Sequence, residues 1–265
     1  MPDYRQQVAT VREPLRELSL FSGAGGGLLA SLLLGWHTVG YVEIDGYCQR
    51  AIAARIKDGI LHDAPIFGDL RTFISDGYAA SYTGMVDVIS GGFPCQPFSL
   101  AGKRAGSADE RNLWPATIEC IRVVRPRFAF LENVPGLLTS GYFGSILADL
   151  AKSGYDCRWR ILSAAELGAP HKRDRLWIVA HTAGQLRDDC TTNKLRGEQG
   201  SGEEWKPGRQ DFGILPLGSR WEIHQPAICR EDDGLAFGVD RLRALGNGQL
   251  PIVAATAWRL LTDGL

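Results

Sequence analysis

The stretch ELSLFSGAGGGLLASLL, residues 17–33, contains the pattern that decides the fold. Its first part, Glu17 to Phe21, is a short and mostly apolar run that predicts a β-strand. Residues 22–27 are all serine, glycine or alanine, and leucines then recur at helical spacing until Gly35. We therefore predict a strand, a glycine turn and a helix, with backbone N–H groups of the turn at the carboxyl end of the strand.

The same alternation of strand and helix continues along the chain. A loop is predicted at Gly68-Asp69-Leu70. Further strands are predicted near residues 39–44, 86–90, 128–131, 157–162 and 175–181, and further helices near residues 49–57, 112–124, 142–152 and 251–261. Such alternation is typical of a doubly wound, mostly parallel Rossmann-like α/β sheet.

Composition divides the chain into four segments. Residues 1–15 form a polar N-terminal extension, and residues 16–181 carry the strand and helix pattern. Residues 182–240 are rich in glycine and charge, which predicts a small irregular region. Residues 241–265 regain apolar periodicity and are predicted to return to the main domain as a helix.

Bulk composition is typical of a folded, soluble protein. Hydrophobic residues make up 45% of the chain and charged residues 22%, close to the usual shares. The N-terminus lacks the apolar segment of a signal peptide, and the longest apolar stretch is too short to span a bilayer. The net charge of −1 gives no support for nucleic-acid binding, so any basic surface must be local. We expect a cytoplasmic protein.

One of the six cysteines, Cys95, has an unusual context. Pro94 and Pro97 hold it in a stiff loop after a predicted central strand, whereas a structural cysteine would more naturally lie inside an apolar strand or helix. No C-x-x-C pair is present, so we predict no metal site and interpret Cys95 as a nucleophile. Cytosine is a base for which such a cysteine would be useful, because its carbon 5 is too electron-poor to attack a methyl donor unaided. A thiolate that adds to carbon 6 makes carbon 5 nucleophilic.

Carboxyl groups follow three predicted strands. Glu43 lies twenty residues beyond Gly23, where a carboxylate can accept from ribose hydroxyls; alternatively, it is a solvated charge and the glycines only form a turn. Asp69 could accept from an adenine amino group. Glu132 could face Cys95 across a crevice and, by sharing a proton with cytosine N3, favour thiolate attack.

In their order along the chain, these motifs resemble those of the cytosine-5 DNA methyltransferase family. The similar segments are Phe21-Ser22-Gly23-Ala24-Gly25-Gly26, Glu43-Ile44-Asp45, Pro94-Cys95-Gln96, Glu132-Asn133-Val134, His171-Lys172-Arg173-Asp174-Arg175 and Gly246-Asn247-Gly248. The resemblance implies transfer of a methyl group from S-adenosylmethionine to carbon 5 of a flipped cytosine in duplex DNA, in a specific sequence context and through a covalent adduct with Cys95.

The resemblance also implies roles for individual residues. Those that would hold and activate the base are Cys95, Glu132, Arg173 and Arg175. Those that would surround the methyl donor are Phe21, Ser22, Gly23, Gly25, Gly26, Glu43, Ile44, Asp69, Pro94 and Asn247. Residues 16–181 would then form the catalytic and cofactor-binding domain, residues 182–240 the target-recognition region, and the basic loop 100–112 a segment that could close over DNA.

The chain departs from the family pattern at His171, where glutamine is usual, and less importantly at Gly248. Two alternatives therefore stay open: an RNA (tRNA) cytosine-5 methyltransferase that uses the same pocket, and a catalytically silent DNA-binding homologue. The resemblance further implies a monomer that acts on double-stranded DNA, without a membrane, in a bacterial or phage-infected cell and alongside a companion restriction endonuclease.

Overall fold

The structure of the protein is a computed structural model, which describes residues 13–94, 112–182 and 248–265. Strands and helices alternate along these ranges. The strands are β1 (Arg16–Leu20), β2 (His37–Val42), β3 (Ile66–Phe67), β4 (Val88–Gly92), β5 (Phe128–Asn133), β6 (Tyr155–Leu162) and β7 (Arg175–Thr182). The helices are α1 (Gly26–Leu33), α2 (Gly46–Lys57), α3 (Leu70–Ser75), α4 (Tyr78–Ser81), α5 (Trp114–Val124), α6 (Tyr142–Lys152) and α7 (Pro251–Thr262). Within these ranges, none of the helices has both the length and the apolar character needed to cross a membrane.

All seven strands form one sheet in the order β3-β2-β1-β4-β5-β7-β6. The pairs among β1 to β5 are parallel, and β7 runs antiparallel to both of its neighbours. The predicted α/β fold with a mostly parallel sheet is confirmed. The predicted strands and helices are present, with bounds that differ from the predicted ones by at most three residues.

The sheet is buried on both faces. Consecutive strand residues point to opposite sides, so one strand contributes to the core on each face. In β5, Ala129 and Leu131 belong to a core that includes residues of α3, α4, α5 and α6. Phe128 and Phe130 belong to a second core with α7 and Trp36. Burial on both sides explains why β5 begins with the continuous apolar run Phe128–Leu131, as expected for a strand covered on both faces.

Three short elements were not predicted from the sequence: β3, α3 and α4. The predicted loop at residues 68–70 is wrong at Leu70, where α3 begins. Asp69 caps this helix, because its carboxylate accepts a hydrogen bond from the Arg71 backbone N–H at 2.8 Å. Elements of two to six residues are too short to show a hydrophobic period, so the sequence pattern did not reveal them.

The direction of β7 was also not predicted, since the alternation of elements suggested a parallel arrangement. Residues 163–174, which join β6 to β7, contain only a single 3-10 turn, Ala165–Leu167. A parallel pair needs a longer crossover, usually a helix. Without one, the chain reverses, and the first residues of β7 lie beside the last residues of β5, with Leu176 opposite Asn133.

Glu17 in β1 is a charged residue in the interior of the sheet. Its side chain is fully buried and accepts hydrogen bonds from the hydroxyls of Ser31 at 2.7 Å, Thr38 at 2.8 Å and Ser90 at 2.5 Å. Burial raises the pKa of the Glu17 carboxyl, and the three hydroxyls offset part of that rise. Glu17 therefore joins α1, β2 and β4 around β1.

We expect Glu17→Gln to change how the free energy of unfolding depends on pH. Because the folded-state pKa is raised, the stabilising contribution of Glu17 is present below its ordinary value of 4.5 and is lost as pH rises through the folded pKa. Glutamine has a similar shape and does not titrate. The variant should therefore gain stability relative to the parent as pH rises above 4.5, as measured by urea denaturation.

The control is Glu119→Gln, because the Glu119 side chain on α5 is 52% exposed. This variant should follow the parent at every pH. Stability curves for Glu17→Gln that stay parallel to those of the parent would contradict the expectation.

Candidate active site

A cleft opens at the carboxyl ends of β1, β4 and β5. It is lined by residues 19–23 and 26–27, which belong to the end of β1 and the glycine turn, by residues 90–92 at the end of β4, by Glu132 and by residues 248–249. Its volume is about 410 Å³, including the part open to solvent. The carboxyl edge of a parallel sheet is where such folds bind ligands.

The glycine turn follows β1 in a left-handed backbone conformation. Phe21 has φ of 51°, and Gly23 and Gly25 have φ of 56° and 99°. Positive φ is strained for phenylalanine but not for glycine, so the sharp turn depends on Gly23 and Gly25. The Ser22 N–H donates to the Val42 carbonyl at 3.3 Å, which joins the turn to β2.

Glu43 bridges the glycine turn and the start of α2. Its carboxylate accepts from the Gly23 N–H at 2.6 Å and from the Asp45 N–H at 2.8 Å. Each oxygen has a second lone pair, so the carboxylate can still accept from a ligand hydroxyl. The neighbouring side chain of Ile44 is 66% exposed and offers an apolar surface to a ligand.

Asp69 lies at the end of β3, where its described contacts are with Arg71. The two side chains form an ion pair at 2.7 Å, and hydrogen bonding from Arg71 lowers the pKa of the Asp69 carboxyl. Asp69 is not among the described residues that line the cleft. Its contact with an adenine amino group therefore stays a prediction.

Glu132 is the carboxyl group that lines the cleft, and its side chain is mostly buried, with 13% exposed. It lies in β5 directly opposite Gly92, and its Oε1 is 2.8 Å from Arg175 Nε. Burial raises the pKa of Glu132, while the charges of Arg175 and Arg173 and a hydrogen bond from the Gln249 side chain hold part of the rise back. The carboxyl is therefore held in one orientation and retains its proton more readily than an exposed glutamate.

Asn133 fixes the chain that leads to the predicted nucleophile. Its side-chain amide donates to the Phe93 carbonyl at 3.1 Å, and its Oδ1 accepts from the Val134 N–H at 2.8 Å. The Phe93 ring packs against Trp114 with centroids 5.3 Å apart. Pro94 is the last described residue of this segment, and Cys95 lies outside the described residues.

Two arginines at or just before the start of β7 contact residues that line the cleft. Arg175 binds Glu132, as described above, and Arg173 Nη2 donates to the Gly248 carbonyl at 2.6 Å. Arg173 has φ of 39°, a left-handed conformation that costs a non-glycine residue about 1–3 kcal/mol. The structure thus brings together Glu132, Arg173 and Arg175, three of the four residues predicted to hold the base.

Sequence reasoning assigned no separate role to Asn133 or Gln249. An amide directly after a strand-end carboxyl was a signal for Asn133, whereas Gln249 had none. His171, the departure from the family pattern, is exposed, and Asn247 lies outside the described residues. The part of the chain that the structure describes contains no group of three or more His, Cys, Asp or Glu that could hold a metal ion.

The sheet order and the glycine turn after β1 define a Rossmann-like α/β fold. Residues 15–204 match the family model of the C-5 cytosine-specific DNA methylase, and the chain belongs to that family.

Comparisons with individual proteins agree with this membership. The Type II methyltransferase M.NgoMIV of Neisseria gonorrhoeae is 36% identical over 62% of this chain and 50% of its own length. The orphan methyltransferase M.SPRI of Bacillus phage SPR is 29% identical over 85% of this chain and 51% of its own. The solved S. pombe Dnmt2 methyltransferase, with 24% identity and a TM-score of 0.51 over 63% of this chain and 51% of its own, supports the fold. The chain spans about half the length of the curated relatives it matches.

Proposed function

We propose that this chain transfers a methyl group from S-adenosylmethionine to carbon 5 of a flipped cytosine in duplex DNA, in a specific sequence context, with Cys95 as the covalent nucleophile. The observation that carries the proposal is the position of Glu132. Its buried carboxyl is bound to Arg175 and lies opposite Gly92, three positions before Cys95 in the sequence. Family membership supports the methyl donor and DNA as the substrate.

The residues at the ends of β1 and β2 suit the methyl donor. S-adenosylmethionine, when bound, supplies an electrophilic methyl group on a sulfonium sulfur. Glu43 would accept from the ribose hydroxyls, and the exposed side chain of Ile44 would pack on the adenine ring. The remaining donor contacts that we propose are those of Phe21, Ser22, Gly23, Gly25, Gly26, Asp69, Pro94 and Asn247.

The chemistry on the cytosine is assigned to Cys95 and Glu132. The Cys95 thiolate adds to carbon 6, and the electrons of the carbon 5–carbon 6 bond make carbon 5 the nucleophile that accepts the methyl group. Glu132 shares its proton with N3 and so draws electron density from the ring; its raised pKa supports this role. Methyl transfer breaks the methyl–sulfonium bond and leaves a neutral thioether as the leaving group. Transfer of the carbon 5 proton to water and cleavage of the carbon 6–sulfur bond, with departure of the thiolate, then restore the double bond.

Access to the ring requires a flipped base, because stacking covers the faces of a cytosine in duplex DNA. We propose that residues 16–181 and the returning segment 241–265 form the catalytic domain. Residues 182–240 would read the DNA sequence, and loop 100–112 would close over it. Both of these segments lie outside or largely outside the described residues. One chain carries every motif, which supports a monomer, and the Type II relatives support a companion restriction endonuclease.

A competition assay tests the substrate. The purified chain is given labelled S-adenosylmethionine with equal amounts of duplex DNA and duplex RNA of matched sequence. We expect the label in DNA, and bisulfite sequencing of genomic DNA from expressing cells should place 5-methylcytosine in one sequence context. Preferential labelling of RNA would reject the DNA assignment, and no transfer to either substrate would support a silent DNA-binding homologue.

A further inference from the structure

Residues 248–250, which lead into α7, pass through the cleft. Arg173 holds the Gly248 carbonyl from one side, at 2.6 Å. The next residue, Gln249, is one of the lining residues of the cleft and lies against glycines from two separate parts of the chain. This segment comes from the far C-terminus, yet it reaches both the glycine turn and the end of β4.

Three glycines allow this close approach. A Cβ atom at Gly26 would overlap the Gln249 backbone carbonyl, and one at Gly27 would lie 2.7 Å from Gln249 Oε1. A Cβ atom at Gly92 would lie 3.3 Å from Gln249 Nε2 and 2.6 Å from Glu132 Oε2. None of the three glycines has a positive φ, so the backbone conformation does not require glycine there. Glycine is needed at these positions because Gln249 and Glu132 occupy the space.

The side-chain amide of Gln249 lies beside the Glu132 carboxyl, since both side chains converge on Gly92, and hydrogen bonding from Gln249 lowers the pKa of Glu132. Arg175 Nε binds the same carboxyl at 2.8 Å. Two donors from different elements therefore fix its orientation. The two donors differ in charge: Arg175 carries a positive charge that favours the ionised acid, whereas the amide of Gln249 is neutral and does not titrate. Gln249 can thus orient the carboxyl with less effect on its ionisation than a second arginine would have.

We propose that Gln249 is a positioning residue that links the glycine turn to the Glu132 carboxyl and sets the orientation in which this group meets the base. The proposal rests on the proposed function for its catalytic consequence. Because one side chain contacts both Gly27 and Glu132, a shift of the glycine turn is transmitted to the carboxyl through Gln249.

The test uses Gln249→Met, which keeps the length of the side chain and removes its hydrogen-bonding groups. Titration of the Glu132 carboxyl is followed by NMR in the full chain labelled with carbon-13 at glutamate Cδ, with Glu132→Gln identifying the signal. Loss of a donor to the carboxylate should raise the apparent pKa of Glu132 above that of the parent. Gln249→Glu should raise it further, because a second carboxyl disfavours ionisation of the first.

The kinetic arm measures methyl transfer to genomic DNA. For Gln249→Met we expect kcat to fall roughly 10-fold to 100-fold, as for loss of one hydrogen bond to a charged group, with a smaller change in KM for DNA. The control is Arg259→Met on α7, an exposed residue that should leave both the titration and kcat unchanged.

The NMR titration and the kinetic measurement distinguish failure of the proposal for Gln249 from failure of the proposed function. If Glu132 titrates in Gln249→Met as it does in the parent, Gln249 does not position the carboxyl and the inference is overturned, whatever the activity. If the titration shifts but the parent methylates neither DNA nor RNA, the contact is supported and the proposed function fails. A loss of kcat that accompanies unfolding, seen in the thermal melting curve, with no shift in titration, also counts against the inference.

Discussion

Replacing Cys95 with serine is expected to abolish methyl transfer while the chain remains folded. A serine hydroxyl has a similar size, but at neutral pH it is a far poorer nucleophile than a partly ionised thiol, so the addition to carbon 6 is lost. The reduction in kcat should be on the order of 10⁴-fold or more, in the range seen when a covalent nucleophile is removed. Transfer of labelled methyl to DNA measures the loss, and the thermal melting curve and binding of S-adenosylmethionine report on the fold.

A matched control is Cys157→Ser, the same change at a half-buried cysteine in β6. Burial raises the pKa of Cys157 to about 12, so its thiol is not ionised near neutral pH and has no expected part in the reaction. This variant should retain the activity of the parent. Substantial turnover by Cys95→Ser would show that another group is the nucleophile.

Glu132→Gln is expected to slow methyl transfer by roughly 10²-fold to 10⁴-fold, the usual contribution of a positioned acid or base. The amide has a similar shape and can donate a hydrogen bond to N3, but it cannot release a proton to the ring, and the ion pair with Arg175 is lost. Single-turnover kinetics should therefore show a slower chemical step, while calorimetry should show little change in the Kd for S-adenosylmethionine.

The pH dependence provides a second measurement. Because burial raises the pKa of Glu132, its protonated form persists to higher pH than that of an exposed glutamate and is lost as pH rises through this pKa. The rate of methyl transfer by the parent should therefore fall as pH rises through this pKa, and Glu132→Gln should not show this fall. Glu119→Gln, the exposed control on α5, should retain it. A selective loss of donor affinity in Glu132→Gln would instead place Glu132 in the cofactor pocket.

Most of the fold could be predicted from the sequence because its long elements have a clear period. The strand, glycine turn and helix of residues 17–33 are present, and α6 was predicted with its observed bounds. Strand β4 was predicted at residues 86–90, two residues before its observed position, since Gly91 and Gly92 are weak strand formers. They belong to the strand because Gly91 packs close to β1, where a Cβ atom would lie 2.8 Å from the Leu20 carbonyl oxygen.

For the candidate site, the positions of some residues could be predicted from the sequence, while their roles stay predictions. Residues that follow strands, such as Glu43 and Glu132, could be located because parallel strands end at one edge of the sheet. Their partners could not. The contact of Glu43 with Gly23 depends on how two turns pack, and that of Asp69 with Arg71 depends on a helix too short to be predicted.

The sequence by itself determined which strand-end residues are candidates for the chemistry and that a mostly parallel sheet would present them at one edge. It could do so because hydrophobic period and glycine turns are local properties of the chain. Only the tertiary structure decided how they meet. The reversal of β7 brings Arg173 and Arg175 to the end of β5, whereas a parallel β7 would begin at the opposite edge. The C-terminal segment places Gln249 beside Gly27 and Glu132. Strand direction and long-range packing depend on contacts between distant parts of the chain, and no local pattern encodes them.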